Sequence, residues 1–191
     1  MKKIEIINRA LTKLGANNIK SLDEKTIEAE TALITYDESL SSLLSELDWH
    51  FALKEDDLTP SKRVAKWRKG NYFDLPSDVL NIVEVSVPPS TYWRQEGDHI
   101  FTEANSFGIV YVSKCTNESL FPAYFIDALV YKLASDMCYK ITNSSEKTAQ
   151  FLDLYKGEFL PIARTKNARA KSSPVVNDGY WTDSMFGGVF G

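Results

Sequence analysis

WHFALKEDDL, residues 49–58, is where the chain changes texture. Before it, apolar residues recur every three or four positions. Within it, Trp49, Phe51 and Leu53 alternate with other residues, the period of a strand with one buried face. The stretch therefore marks the point where a helical segment hands over to a β segment, and it predicts an α+β chain.

Upstream, Ile4, Ile7, Leu11 and Leu14 form one apolar stripe, which predicts an amphipathic helix over Lys3–Leu14. Gly15 follows at the position where a helix takes a left-handed residue. Ser21-Leu22-Asp23-Glu24 has the form of a capping box, so a second helix is expected from about Glu24 to Leu47. Its stripe is Ala29, Leu33, Tyr36, Leu40, Leu43 or Leu44, and Leu47.

Downstream, breakers come often: Gly70, Pro76, Pro88, Pro89, Gly97 and Gly108. Between them lie NYFDL, VLNIVEVSV, HIFTE and FGIVYVSKC, which read as strands of a small antiparallel module of five or six strands. Helical periodicity returns at Leu120. Pro122 suits a first turn, and Phe125, Leu129, Leu133 and Met137 carry the stripe to about Tyr139. Asn143 or Ser144 caps a further helix bearing Ala149, Leu152, Tyr155, Phe159 and Ile162, which Pro161 should kink or end. The expected architecture is mainly helical. A four-helix bundle (residues 1–48 and 118–171) carries an inserted antiparallel β module (49–117) and an extended tail (172–191) rich in aromatics and glycine.

The composition is that of a globular protein: 191 residues, 43% hydrophobic, 25% charged, with a net charge of −4. That balance argues against a nucleic-acid binder acting through overall charge. The opening MKKIEIINRALTKLG is interrupted by Glu5, Asn8, Arg9 and Lys13, so it lacks the apolar run of a signal peptide, and no stretch has the length of a membrane span. Synthesis and assembly in a cytoplasm are expected, with Cys115 and Cys138 as reduced thiols.

Catalytic patterns do not emerge. His50 and His99 have no histidine or cysteine at metal-binding spacing. The acidic triplet Glu55-Asp56-Asp57 lacks the alternation and glycine of a calcium loop and reads as a solvated turn. Phosphate-binding glycine loops and nucleophile elbows are absent. The expectation is a protein without enzymatic activity, cofactor or metal.

Two basic clusters and the tail are the candidate contact residues. Lys62, Arg63, Lys66, Trp67 and Arg68, with Lys69, place cations around an aromatic, a pattern that serves a phosphate backbone or a protein partner. Arg164, Lys166 and Arg169, with Lys171, fall where a helix dipole favours cations, and they also suit a subunit contact. In DGYWTDSMFGGVFG, residues 178–191, Tyr180, Trp181, Phe186 and Phe190 are rings on a glycine-rich string. Such rings need burial, either on their own domain or in a neighbour.

The order of these features resembles tail tubular protein A, the head-to-tail adaptor family of short-tailed phages. The resemblance rests on a short helix ending in Leu14-Gly15, a polar link, a long helix, and Trp49-x-Phe51-Ala52 with a charged run before Leu58. It continues through Tyr72-Phe73-Asp74-Leu75-Pro76-Ser77-Asp78, similar to the family's Y-x-L-P-x-D with one more residue between Tyr and Leu. Ile109 to Val112, Leu120-Phe121-Pro122 leading into a helix with Leu133-Ala134, a helix bearing Tyr155, and a tail with Asp178-Gly179 and Trp181 complete the series. The final MFGGVFG has no counterpart. The resemblance implies a structural virion protein of the neck, assembled in the host cytoplasm. It would form a homo-dodecameric ring between the portal protein and a tail nozzle similar to tail tubular protein B, with tail fibre as a further partner. Double-stranded DNA would meet it only in passage, and no membrane is involved. In this reading the tail rings and Arg164, Lys166 and Arg169 meet the portal or a neighbouring subunit, and the Lys62–Arg68 cluster meets the tail side. The competing readings are a nucleic-acid-binding module built on Lys62 to Lys69 and a small tail-associated cell-wall hydrolase using the acidic triplet.

Overall fold

A computed structural model describes residues 2–171. The tail residues Tyr180, Trp181, Phe186 and Phe190 lie outside the described residues.

The first helix, α1 (Lys3–Leu14), buries Ile7, Leu11 and Leu14 together with Ile6 and Ala10, and Gly15 closes it in the left-handed conformation at φ +73°. The turn at Ser21 to Glu24 does form, with Glu24 accepting from the Lys20 and Ser21 amides, but it ends in a turn. The helix α2 (Ile27–Leu44) starts later, where Thr26 Oγ1 accepts from the Ala29 amide at 3.2 Å. Its buried stripe runs Ala29, Ala32, Tyr36, Leu40, Leu43 and Leu44, and Leu33 points to solvent.

Trp49 to Ala52 is not yet strand. His50–Ala52 forms a 3-10 turn, and β1 (Leu53–Asp57) begins only after it. The alternation of Trp49 and Phe51 arises because both rings anchor the junction. The Trp49 indole donates to the Leu43 carbonyl at 2.8 Å and meets Phe125 edge-on at 4.9 Å, while Phe51 lies 4.7 Å from Phe125.

Six further strands follow: β2 (Pro60–Val64), β3 (Asn71–Asp74), β4 (Val79–Val85), β5 (Trp93–Glu96), β6 (His99–Thr102) and β7 (Gly108–Ser113). They form two antiparallel sheets, ordered β1-β7-β4 and β2-β3-β6-β5. Strands β2 and β5 are the two edges of the second sheet, and their side chains are mostly exposed, so no apolar alternation announces them.

After β7 the chain returns to helix. The helix α3 (Ala123–Thr142) starts behind Pro122 and ends in a left-handed Asn143. It is apolar on several sides, with Phe125, Leu129, Val130, Leu133, Ala134 and Met137 all buried, as befits a central helix. Helices α1, α2 and α4 pack on α3 far more than on one another. Ser144 caps α4 (Ser145–Leu154), accepting from the Lys147 amide at 3.3 Å. Pro161 neither ends nor separates the last helix. A π turn over Tyr155–Phe159 precedes it, with the Leu160 amide reaching back to Tyr155, and α5 (Leu160–Lys171) runs on. The wider turn takes up the proline, whose ring would otherwise crowd the preceding helical carbonyls.

The expected mainly helical four-helix bundle is therefore corrected. The described residues form an α+β fold, about half helical, with seven strands in two sheets. The physical reason lies in the core. The helical core is closed by the first sheet, which contributes Leu53, Leu80, Val83 and Val112, while α4 has no fully buried residue to act as an equal fourth wall. The opposite face of that sheet, with Ile109, Tyr111 and Ile82, packs on Phe73 and Ile100 of the second sheet as a separate core. The layers thus run helices, first sheet, second sheet. No helix among the described residues is long and apolar enough to cross a membrane.

Asp78, just before β4, pins the first sheet. It accepts from Lys54 of β1 at 2.6 Å and from the Tyr111 hydroxyl of β7 at 3.1 Å. The Lys54 ammonium holds its carboxyl below the usual aspartate range.

Candidate functional site

Side chains alternate between the faces of a strand, so Phe73 and Ile100 on the inner face place Tyr72 and Phe101 on the outer face of the second sheet. These two rings stand opposite each other across β3 and β6, yet they are only 5% and 2% exposed. Their cover is the basic cluster. The Arg63 guanidinium lies 4.2 Å over the Tyr72 ring, and that of Arg68 lies 4.1 Å over Phe101.

Glu96 ties this cover down. Arg68 reaches its carboxylate at 2.8 Å and donates to the Tyr72 hydroxyl at 2.9 Å; that hydroxyl in turn donates to Glu96 at 3.0 Å, and Arg94 pairs with the same carboxylate. Hydrogen bonds from Arg68 and then Arg94 hold the Glu96 carboxyl down at about 2. Gly70 makes the loop between β2 and β3 possible. At φ +139°, any Cβ there would sit 2.7 Å from the Thr102 carbonyl and 2.8 Å from Phe101 Cζ.

The basic cluster thus divides. Arg63 and Arg68 cover rings of their own sheet, whereas Lys62, Lys66 and Lys69 make no ion pair among the described residues. Trp67 stands between them, 94% exposed. Val64 is exposed too, and it shares a cross-strand row with Asn71, Thr102 and the exposed Trp93. One end of the second sheet therefore presents aromatic and apolar side chains beside lysines.

The acidic triplet is not a turn. It forms β1, and the sheet register divides it between faces. Glu55 pairs with Val110, which pairs with Glu84, and Asp57 pairs with Gly108. Val110 shares a face with Val112, which enters the helical core, so this row lies on the helix side of the first sheet, beyond the reach of the helices. The result is an open groove with Gly108 and Val110 in its floor and Glu55, Asp57 and Glu84 as acidic walls. Asp56 lies on the other face of the strand by alternation. A Cβ at Gly108 would meet Asp57 Oδ1 at 3.0 Å, so the glycine keeps this floor low. The register between β1, β7 and β4 assembles the groove, and no local motif signals it.

Arg164, Lys166 and Arg169 lie on the exposed side of α5, where Lys166 and Arg169 flank a shallow apolar hollow with Pro161 and Ile162. The opposite side of the helix buries Ala163 and Asn167. Sequence reasoning missed Asn167. Its amide donates to the Asp48 carbonyl at 2.9 Å, and its oxygen accepts from the His50 amide at 3.2 Å, fastening the last helix to the start of the β segment. His50 and His99 are far apart in the fold, and no group of three or more metal-ligating side chains gathers among the described residues. Cys115 and Cys138 are free thiols, the second buried in the helical core. Compared with known proteins, the chain matches no protein-family model and no curated sequence.

Proposed function

We propose that this protein is a structural assembly protein, a head-to-tail adaptor of the phage neck that forms a ring between the portal protein and the tail nozzle. The observation that carries the reading is the braced presentation of Trp67: a fully solvated indole on a loop whose neighbouring arginine is locked to Glu96 and Tyr72. An exposed aromatic held on a rigid sheet is a preformed interface anchor. Further exposed apolar side chains lie on other elements: Ile27, Leu33 and Ile34 on α2, and Leu152, Leu154 and Ile162 along α4 and α5. Apolar exposure on several faces suits a subunit with several neighbours.

In this reading the helical body supplies ring contacts and the second sheet meets tail-side proteins. The aromatic tail, with Tyr180, Trp181, Phe186 and Phe190, engages the portal or a neighbour. The net acidic charge suits a channel through which DNA phosphates slide without sticking. The test is truncation of residues 178–191, followed by measurement of folding and of co-sedimentation with the portal protein. A folded chain that no longer joins portals supports the reading. A truncated chain that unfolds places the tail in its own core and contradicts that part of it. Lysines around Trp67 also suit a nucleic acid, and a DNA complex that weakens steeply with salt would favour that second reading.

A further inference from the structure

Two surfaces of this protein carry unbalanced charge of opposite sign. On one, Lys62, Lys66 and Lys69 flank the exposed Trp67 in sequence, on β2 and the loop after it, with no carboxylate in ion-pair range. On the other, Glu55, Asp57 and Glu84 line the groove over Gly108 and Val110 with no cation in ion-pair range. Within a single chain each set repels itself, and each lacks the partner the other would supply.

Their placement decides the geometry of any meeting. The groove lies on the helix side of the first sheet, whereas the loop belongs to the second sheet, whose outer face turns away from the helices. No ion pair joins the two surfaces within one copy among the described residues. They can meet between copies, and because they differ, the contact is head-to-tail.

We propose that the Lys62–Lys69 loop of one copy seats in the Glu55–Val110–Glu84 groove of the next, with Trp67 on the Gly108–Val110 floor and the lysines against the acidic walls. This rests on the ring reading above and amends it in one respect: the Lys62–Lys69 loop meets a neighbouring subunit rather than a tail-side protein. The groove floor, low at Gly108 and apolar at Val110, suits a flat apolar ring, and the walls suit ammonium groups. Arg63 and Arg68 take no part, because they are committed to Tyr72, Phe101 and Glu96.

A charge-exchange experiment on the full chain tests this. One variant carries Lys62→Glu, Lys66→Glu and Lys69→Glu; a second carries Glu55→Lys, Asp57→Lys and Glu84→Lys. All six positions are exposed, and unchanged melting temperatures establish that both variants fold. Mass is followed by light scattering up to about 1 mM protein, where even a millimolar contact is visible. The wild type is expected to associate more strongly at low salt, each variant to show at least about a tenfold higher Kd, and an equimolar mixture of the two to recover wild-type association. Variants that associate like the wild type, or a wild type that stays monomeric throughout, overturn the proposal. Portal binding is measured separately on the same samples. Portal binding insensitive to the exchanges leaves the adaptor reading standing without this contact, and charge-dependent self-association without portal binding leaves the contact standing without the adaptor.

Discussion

The side-chain amide of Asn167 donates to the backbone carbonyl of Asp48, 119 residues earlier, at 2.9 Å. This bond and its companion from the His50 amide hold α5 against the junction where helix gives way to sheet. Asn167→Ala removes both of these part-buried bonds, each worth about 0.5–1.5 kcal/mol, and is expected to destabilise the protein by about 1–3 kcal/mol. Urea unfolding measures it, and an unchanged midpoint would show that water replaces the asparagine.

Gly70 and Gly157 give a contrast in glycine replacement. Gly70→Ala drives a Cβ into the Thr102 carbonyl and the Phe101 ring at a φ that alanine rarely adopts, so a loss of about 2 kcal/mol or more is expected. Gly157→Ala meets open space in the π turn, and a gain of about 0.5–1 kcal/mol is expected from the stiffer helical backbone. Thermal unfolding of the two variants should move in opposite directions.

Trp49 and Trp67 should separate stability from assembly. Trp49 is buried among Phe51 and Phe125 and donates to Leu43, so Trp49→Ala is expected to lose about 3–5 kcal/mol. Trp67 is solvated, so Trp67→Ala should change stability by no more than about 0.5 kcal/mol while weakening association. Parallel unfolding and light-scattering measurements check both halves.

Glu96 sets an acid limit on the arginine cover. Its carboxyl titrates at about 2 in the folded protein against an ordinary value of 4.5. A lowered carboxyl contributes stability that is present above the ordinary value and is lost as pH falls through that window toward about 2. The carboxyl carbon resonance of Glu96 should therefore stay that of the ionised form through pH 4.5, and Glu96→Gln should remove the low-pH step. A titration centred on the ordinary value would show that Arg68 and Arg94 do not hold the group in solution.

The helices were largely legible because their signals are local. The α1 stripe, Gly15 as its end, Pro122 before α3 and Ser144 as a cap all follow from spacing and backbone preference within a few residues. Boundaries slipped where two local signals competed, as at Ser21 and Thr26, or where rings imitated a strand period, as at Trp49 and Phe51. Strands β2 and β5 were missed because edge strands of a sheet can carry Lys62, Arg63, Arg94 and Gln95 outward without an apolar face. The basic cluster around Trp67 was legible as a cluster. Its division into ring-covering arginines and free lysines was not, since that depends on Tyr72, Phe101 and Glu96 arriving from three other strands. The acidic groove needs Glu55 and Glu84 to meet across β7, a long-range register beyond any motif.

The central claim is that this chain joins a portal as one of many copies. The most direct test is the mass of the purified full chain by light scattering, alone and after mixing with the portal protein. The reading predicts a large complex in which multiple copies join each portal ring, with mass consistent with a dodecamer of this chain. A chain that remains monomeric and ignores the portal would contradict it.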